Sequence, residues 1–281
     1  MISKTLGTAQ LVRSYGAVSR RPSIQSELAA IKLLKLAEEK GFRAVDTAPV
    51  YGPAESVIGR AGISLEVHTK LNPSESVASS IENSRRLLNR DLLDLVYIHD
   101  SSVITDPNNR VVASLAELVG TKVKKIGVSV YDVSEFRAAD ADPRIDVIQV
   151  PFNIFDQRSA SFRLNTSGWP PKQVVARSIF LQGLLLLSPT DYPKQHHGLL
   201  PHGTHLATVA EKHGLSLLEL AIGFAKQNSL FSELIFGIDS SPDLLEISDV
   251  FDRIFLGEDV MRDLRSVKCV NSLLVDPRKW T

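Results

Sequence analysis

The sequence has few cysteines and no long apolar run, and these absences narrow the class of protein. Only one of its 281 residues, Cys269, is a cysteine, so no internal disulfide can form, which is typical of a reducing compartment. No apolar run approaches the roughly 18 residues that a membrane span requires. The first residues also lack the basic start and apolar stretch of a secretory signal. The predicted location is therefore the cytoplasm.

An excess of charge of one sign is also missing. The 32 basic residues balance the 32 acidic ones, so the formal net charge is zero. Long-range attraction to nucleic acid or to an anionic membrane is therefore not expected. We predict a small molecule as the partner, and a monomer or a small homo-oligomer as the assembly.

Strand-like and helix-like segments alternate along the whole chain. The predicted strands are Thr5–Thr8, Ala44–Thr47, Glu66–Lys70, Leu93–His99, Lys124–Ser129, Val147–Pro151, Gln173–Ala176 and Glu233–Gly237. Amphipathic segments between them predict helices at Ser26–Lys40, Ala54–Ala61, Ser76–Asn89, Val111–Gly120, Val133–Ala139, Gln157–Thr166, Gly203–Lys212, Leu217–Lys226 and Pro242–Phe255. This order indicates a parallel sheet, because parallel neighbours need a crossover connection.

Two architectures fit such a sheet, a closed barrel and a doubly wound open sheet. The open sheet is disfavoured because no Gly-x-Gly-x-x-Gly follows the first predicted strand. Eight strands without a break in composition favour an α/β fold of the (β/α)8 TIM-barrel type, with parallel strands and one domain over residues 1–281. Such barrels build their active sites at the carboxyl ends of the strands.

Four polar side chains fall at those ends. Asp46 closes the second predicted strand and Tyr51 lies on the loop after it, while Lys70 and His99 close the third and fourth. An ammonium group within about 4–6 Å favours the ionised form of a phenol, so Lys70 is expected to activate Tyr51, with Asp46 holding the lysine. Tyr51 would then protonate a carbonyl oxygen, which is typically worth about 10²–10⁴-fold in rate, and neutral His99 would orient that oxygen. Taken singly, each residue also has an ordinary structural explanation, such as a turn cap or a solvated charge.

Short motifs surround these residues: Gly41–Ala48 with Tyr51, Gly52, Glu55 and Gly59, then Thr69-Lys70, Leu95–His99, Ile126–Ser129, Val147–Gln149 and Ala176–Leu185. In these motifs the chain resembles the aldo-keto reductase family, in particular its short bacterial members. The resemblance implies a nicotinamide-dependent barrel oxidoreductase with Asp46, Tyr51, Lys70 and His99 as its catalytic tetrad. It also implies cofactor contacts from Ser129, Gln149, Arg177, Ser178, Leu181, Gly183, Gly237, Ser240, Ser241 and Asp243. Of these, Ser129 and Gln149 would hydrogen-bond the nicotinamide carboxamide.

Three departures from the family pattern bear on the cofactor. Val130 stands where many members carry Asn, and Arg177 where many stack a Tyr on the nicotinamide ring. Arg177 would either stack there, favouring the reduced cofactor, or turn outward and pair with a carboxylate. The loop after the eighth strand offers Asp239 and Asp243 but no basic residue, whereas a 2′-phosphate normally calls for Arg or Lys. NAD(H) is therefore predicted over NADP(H), unless Arg278 and Lys279 supply the phosphate contact.

The predicted reaction is hydride transfer to or from a small polar aldehyde, ketone or sugar. One alternative, motivated by the three departures, is a nucleotide-binding or regulatory barrel with little turnover. Another is a metal-dependent hydrolase that uses the histidines of the segment after the seventh strand (His196, His197, His202 and His205). That segment is otherwise expected to be a mobile lid, and no metal is predicted. A basic first loop, with Arg13, Tyr15, Arg20 and Arg21, would suit an anionic or polyhydroxylated substrate or would simply be solvated.

Overall fold

The structure, a computed structural model, describes residues 2–11, 26–106, 108, 110–162 and 171–280. Its centre is a closed barrel of eight parallel strands in sequential order, in which the first strand pairs with both the second and the eighth. The strands are β1 (Ser3–Gly7), β2 (Ala44–Asp46), β3 (Glu66–Lys70), β4 (Leu93–Ile98), β5 (Val123–Ser129), β6 (Val147–Pro151), β7 (Gln173–Arg177) and β8 (Glu233–Gly237). The predicted (β/α)8 barrel is confirmed.

Helices occupy the connections between the strands. They are α1 (Glu27–Glu39), α2 (Ala54–Ala61), α3 (Val77–Leu88), α4 (Ser102–Thr105), α5 (Val111–Ala116), α6 (Val133–Ala141), α7 (Leu200–His213), α8 (Leu217–Lys226), α9 (Ser241–Arg253), α10 (Glu258–Ser266) and α11 (Ser272–Val275). Short 3₁₀ segments occur at Arg158–Ser161, Leu181–Leu186, Pro189–Asp191, Lys194–Leu199 and Pro277–Lys279. In the described part of the chain, no helix is long and apolar enough to cross a membrane.

Side-chain caps fix several helix starts. Ser26 and Ser76 accept hydrogen bonds from backbone N–H groups in the first turns of α1 and α3. Asp132 begins α6 with a capping box in which the Glu135 side chain bonds back to the cap residue, and α8 begins in the same way. These caps are local in sequence, which is why the predicted starts of these helices agree with the structure to within a residue.

The predicted helix over Gln157–Thr166 is wrong in its described part. Only Arg158–Ser161 turns, as a 3₁₀ segment, and Phe162 is already extended. The side chain of Ser159 donates to the Pro151 carbonyl at 2.8 Å, and Asp156 binds the Arg158 guanidinium at 2.7 Å. Such local side-chain bonds compete with the helical pattern of backbone bonds. Residues 163–170, which include the predicted end, lie outside the described residues.

The strands bury their two faces in two different cores. Alternate residues of β4 show the pattern, since Val96 and Ile98 belong to the large apolar core that includes the helices. Leu95 and Tyr97 belong instead to a small cluster inside the barrel, with Val147, Val175 and Ile235. This period of two is that of a closed barrel. Gly127 makes room for this inner cluster, because a Cβ at that position would overlap the Tyr97 ring.

A cluster of charged residues lies at the amino-terminal end of the barrel interior. The two ring nitrogens of His68 lie 3.4 Å from carboxylate oxygens of Glu66 and Glu233. Thr5 donates to Glu233 at 2.7 Å. Burial opposes a charge on His68, but the two glutamates outweigh it and raise its pKa to about 9. This end of the barrel interior therefore holds an imidazolium between two carboxylates.

Candidate active site

A cavity of about 440 Å³ opens at the carboxyl ends of the strands. Each strand contributes a residue to its lining, seven of them at or just beyond the strand end and Gln149 within β6: Gly7, Asp46, Lys70, His99, Ser129, Gln149, Arg177 and Gly237. Tyr51, on the loop after β2, also lines it. All four predicted catalytic residues are thus brought together around one space, because consecutive strands of the closed barrel are neighbours.

Lys70 and Asp46 form a buried ion pair in this cavity. The Lys70 ammonium donates to Asp46 Oδ1 at 2.7 Å and to the Thr47 carbonyl at 2.9 Å. The two residues are only 3% and 6% exposed. Burial opposes the charge on the amine, but the Asp46 carboxylate and the Tyr51 phenol outweigh it and raise the pKa of Lys70. The lysine is therefore an ammonium group throughout the neutral range.

Tyr51 lies beside that ammonium group. Lys70 Nζ is 5.1 Å from the centre of the Tyr51 ring, and hydrogen bonding with Tyr51 contributes to the raised pKa of Lys70. A turn positions the ring, since the Tyr51 N–H donates to the Ala48 carbonyl at 3.0 Å. Gly52 follows with φ of 63°, a conformation that favours glycine. The phenol and the ammonium group are thus close enough to interact directly.

Helix α2 fixes the loop that carries Tyr51. Its buried Glu55 accepts a hydrogen bond from Thr69 at 2.6 Å, directly beside Lys70 in sequence. Gly59, one turn further along, faces the backbone of Leu87 and Leu88 so closely that a Cβ would overlap it. Two residues of the motif around Tyr51 therefore act by docking α2 against β3 and α3.

His99 is half-buried at the end of β4. Burial lowers its pKa, and the nearby cations of Lys70 and Arg177 lower it further. The imidazole is therefore neutral at pH 7. Within the described residues no protein group hydrogen-bonds to the ring, so it can donate to an oxygen placed in the cavity.

A chain of hydrogen bonds joins the predicted carboxamide partners to the tetrad. Ser129 Oγ donates to Gln149 Oε1 at 3.1 Å, and Gln149 Nε2 donates to Asp46 Oδ2 at 2.9 Å. Both side chains are buried and line the cavity. Asp46 therefore accepts hydrogen bonds at both carboxylate oxygens, one from Lys70 and one from Gln149.

Arg177 extends this chain. Its Nε donates to Ser129 Oγ at 3.2 Å, and its two terminal nitrogens lie 3.4 Å from Ser178 Oγ and from the Val130 carbonyl. Its guanidinium carbon is 4.2 Å from the centre of the Tyr131 ring. The alternative in which Arg177 turns outward to a carboxylate is wrong, because Arg177 lines the cavity and forms no ion pair with any described residue. Stacking on a nicotinamide ring stays a prediction.

The loop after β7 has an unusual backbone. Ser178, Leu181 and Gln182 have φ values of 61°, 46° and 54°, and Gly183 has 92°. Residues other than glycine rarely adopt such values, which concentrate at functional sites. The turns present Ser178, Gln182 and Gly183 to the cavity, whereas the Leu181 side chain is fully buried in the core.

Two carboxylates line the cavity after β8. Asp239 accepts a hydrogen bond from Gln10 at 2.8 Å, and Asp243 accepts one from Ser240 at 2.6 Å. Ser240 caps α9, and neither it nor Ser241 lines the cavity. The predicted cofactor roles of Leu181, Ser240 and Ser241 therefore stay predictions without a side chain at the cavity wall.

The carboxyl-terminal tail contacts the opposite side of the cavity. The Arg278 guanidinium carbon lies 3.3 Å from the centre of the Tyr131 ring, and its Nη2 is 2.7 Å from Asp276 Oδ2. Tyr131 follows β5, three strands away from β8 around the barrel. Arg278 lines the cavity, so a contact from it to a phosphate stays a prediction, whereas Lys279 does not line the cavity.

Several cavity residues are absent from the sequence-based prediction: Thr8, Ala9, Gln10, Tyr131, Phe180, Ile235, Ile247 and Pro277. Tyr131 had a usable signal, because it lies two residues beyond Ser129 and so keeps the inward direction of that strand. Gln10 and Pro277 had none, since their positions depend on the packing of a loop and a tail.

The histidines after β7 have structural contacts. The His196 ring packs 4.3 Å from the Trp280 ring, and ring nitrogens of His197 and His202 lie 3.2 and 3.1 Å from the carbonyls of Tyr192 and Val267. None of the four lines the cavity, so the structure does not support the lid. The described residues contain no group of three or more His, Cys, Asp or Glu that could hold a metal.

The basic first loop, with Arg13, Tyr15, Arg20 and Arg21, lies outside the residues that the structure describes.

Three known proteins that resemble this chain in sequence are an aldo-keto reductase and two sugar dehydrogenases. Aldo-keto reductase YhdN of Bacillus subtilis is 26% identical over 153 residues, which are 47% of this chain and 46% of that protein. D-arabinose 1-dehydrogenase of Saccharomyces cerevisiae is 30% identical over 123 residues, 36% of each chain. D-threo-aldose 1-dehydrogenase of a Pseudomonas species is 24% identical over 256 residues, 73% of this chain and 78% of the other. The matched region thus spans less than half of the first two relatives.

Solved structures share the fold. The holo form of aldo-keto reductase AKR11C1 from Bacillus halodurans superposes with a TM-score of 0.74 at 18% identity, covering 94% of this chain and 91% of the other. A Gox0644 variant in complex with NADPH has a TM-score of 0.70 at 22% identity, covering 96% and 90%. Members of the aldo-keto reductase family are nicotinamide-dependent oxidoreductases, the class that the sequence predicts. The model of the Aldo/keto reductase family matches residues 5–268, and the chain belongs to that family.

Proposed function

We propose that this chain is a nicotinamide-dependent carbonyl reductase, or in reverse an alcohol dehydrogenase, with Tyr51 as its general acid and base. One observation carries the proposal. The buried Lys70 ammonium is held by Asp46 at 2.7 Å and lies 5.1 Å from the Tyr51 ring, at the wall of a cavity large enough for a ligand. A cation in that position stabilises the phenolate that proton donation leaves behind.

The chain's own residues have distinct tasks in this reaction. A bound nicotinamide supplies the hydride. Tyr51 gives its proton to the substrate oxygen as negative charge develops there, and Lys70 stabilises the resulting phenolate. His99, neutral and directed into the same cavity, donates a hydrogen bond that orients the oxygen. In the oxidative direction the phenolate removes the proton from the alcohol.

The cavity lining fits a nicotinamide dinucleotide. The Ser129 hydroxyl and the Gln149 amide can satisfy a carboxamide, and both are buried beside the tetrad. At the other end, Asp239 and Asp243 can accept hydrogen bonds from ribose hydroxyls, as acidic residues do in NAD sites. The same carboxylates would repel a 2′-phosphate, and the basic tail residue Arg278 is already paired with Asp276. We therefore propose NAD(H) as the preferred cofactor over NADP(H), although a protein of the same fold binds NADPH.

The proposed substrates are small polar aldehydes, ketones or sugars. Support comes from the polar side chains around the tetrad and from two relatives, which are dehydrogenases of D-arabinose and of D-threo-aldoses. A sugar offers hydroxyl groups beside the carbonyl, and these can pair with polar lining groups other than Ser129 and Gln149, such as His99 and Gln182.

The test is NADH oxidation driven by a panel of sugar and other polar aldehydes. Tyr51→Phe removes the proton donor and should lower turnover roughly 10²-fold or more. Tyr192→Phe is the matched control, because Tyr192 is buried but does not line the cavity. Equal rates for the wild type and Tyr51→Phe would refute the proposed acid. Tight NADH binding without turnover on any member of the panel would instead support the regulatory barrel.

A further inference from the structure

Arg177 differs from the other basic groups at the cavity wall in having no acidic partner among the described residues. Lys70 is paired with Asp46 at 2.7 Å. Arg278 is paired with Asp276, also at 2.7 Å. His99 is neutral, because burial and its cationic neighbours lower its pKa. The two ion pairs largely cancel, which leaves the guanidinium of Arg177 as the net positive charge on this side of the cavity.

The hydrogen bonds of Arg177 do not neutralise it. Its partners are the Ser129 hydroxyl, the Ser178 hydroxyl and the Val130 carbonyl, all uncharged and at 3.2 to 3.4 Å. The Tyr131 ring covers it at 4.2 Å from the ring centre. This contact favours a cation but adds no negative charge. The bonds to the β5 loop fix the charge in place, beside Ser129.

Ser129 and Gln149 are the residues proposed to hold the nicotinamide carboxamide. That group is bonded directly to the nicotinamide ring, so a ring held there would lie close to the guanidinium of Arg177, whose Nε is 3.2 Å from Ser129 Oγ. The ring is uncharged in the reduced cofactor and carries a positive charge in the oxidised one. A fixed cation beside it therefore distinguishes the two oxidation states by charge alone.

We propose that Arg177 is a specificity-determining residue that makes this site bind the reduced cofactor more tightly than the oxidised one. This inference rests on the proposed nicotinamide-dependent function. When hydride leaves the reduced ring for the carbonyl carbon, the C=O electron pair moves to the oxygen, which takes the Tyr51 proton, and the ring becomes cationic beside Arg177. The oxidised product is thereby destabilised in the site and is released more readily.

The size of the effect follows from Coulomb's law. Two unit charges about 7 Å apart, with an effective dielectric constant between about 20 and that of water, correspond to roughly tenfold in dissociation constant. A half-buried guanidinium falls in this range, since it is neither fully screened nor fully desolvated. The overall equilibrium of the reaction is unchanged, because a protein alters only the stabilities of its bound states.

The test is a binding measurement with no substrate present. Dissociation constants for NADH are measured by fluorescence titration, and those for NAD⁺ by competition against NADH, for the wild type, Arg177→Gln and Arg177→Lys. In Arg177→Gln the ratio of the NAD⁺ dissociation constant to that of NADH should fall roughly tenfold, mainly because NAD⁺ binds more tightly. Arg177→Lys keeps the charge and should retain most of the preference for NADH. Arg144→Gln, which removes an exposed guanidinium paired with Asp142, is the matched control and should change nothing.

Each outcome decides a different point. If the ratio of the dissociation constants for NADH and NAD⁺ is the same in the wild type and in Arg177→Gln, the role of Arg177 is overturned while cofactor binding stays intact. Equal weakening of both forms would show that the side chain acts through shape rather than charge, which also overturns it. Failure of the folded wild type to bind either form would refute the proposed function itself. If Arg177→Gln does not fold, Arg177→Met provides the same loss of charge.

Discussion

Asp46 and Lys70 meet at 2.7 Å in a part of the barrel where both are almost completely buried. A buried ion pair is strongly destabilised when one partner is removed, because the other is left as an uncompensated charge. The pair is also the element through which Tyr51 and Gln149 are connected. Stability and activity should therefore respond together when it is broken.

Asp46→Asn tests this coupling. The variant keeps the shape of the side chain but leaves the buried Lys70 without its counter-ion, so the free energy of unfolding should fall by about 3 kcal/mol. Turnover should fall roughly 10²-fold. Urea unfolding and NADH-linked turnover measure the two effects. Lys124→Met removes an exposed ion pair with Asp94 and should cost at most about 1 kcal/mol. Similar losses in the two variants would contradict the role of the buried pair.

His99→Leu should separate substrate activation from cofactor binding. Loss of the neutral imidazole removes a hydrogen-bond donor to the substrate oxygen, so kcat/KM for the carbonyl substrate should fall roughly 10²-fold. The dissociation constant of NADH should change little, because the proposed carboxamide contacts come from other strands. Steady-state kinetics and fluorescence titration measure these quantities. His205→Leu alters an exposed histidine away from the cavity and serves as the control. Unchanged kcat/KM in His99→Leu would exclude the imidazole from the reaction.

Because of His68, the free energy of unfolding of the barrel should fall at alkaline pH. Its pKa is raised from 6.5 to about 9 in the fold, so the protonated form stabilises the native state fully below pH 6.5. This stabilisation is lost as the pH rises through 9, and it amounts to at most about 3 kcal/mol. Urea unfolding at pH 6 and at pH 9.5 should show this decline in the wild type and a smaller one in His68→Gln. The exposed His205→Gln should behave as the wild type. A decline of the same size in His68→Gln would assign it to other groups.

Asp243→Asn should weaken the discrimination against NADP(H). Neutralising one carboxylate at the adenosine end removes repulsion toward a 2′-phosphate, so NADPH should bind several-fold more tightly. The dissociation constant of NADH should change less, since an amide oxygen can still accept the hydrogen bond from Ser240. Asp249→Asn, on the exposed side of the same helix, is the control. Equal changes for NADH and NADPH would show that the 2′-phosphate does not lie beside Asp243.

The barrel and the tetrad could be predicted because their signals are local. Buried strands end at Asp46, at Lys70 and directly before His99, and the order of the strands fixes which ends are neighbours. The predicted bounds of β3, β6 and β8 agree with the structure to the residue. These parts of the site follow from strand order and from the two-residue alternation alone.

The rest could not be predicted because it depends on packing between distant segments. The pose of Arg177 is set by hydroxyl and carbonyl groups on β5 and its loop, and that of Arg278 by Asp276 and Tyr131. The histidines after β7 looked like a separate cluster, yet His196 contacts the Trp280 ring and His202 the Val267 carbonyl, both far along the chain. Local side-chain bonds around Asp156 overrode an amphipathic pattern that predicted a helix.

The inward residues of β3 give the barrel a strict dependence on chain length. Glu66 and His68 line a small cavity at the amino-terminal end of the barrel, and Lys70 lines the candidate active site at the other end. These three residues are spaced two positions apart along the strand. Deleting or inserting one residue within this strand would turn neighbours such as Val67 and Thr69 inward and would send the Lys70 ammonium group out among the helices. Insertions and deletions should therefore be tolerated in the loops of this protein and selected against inside its strands.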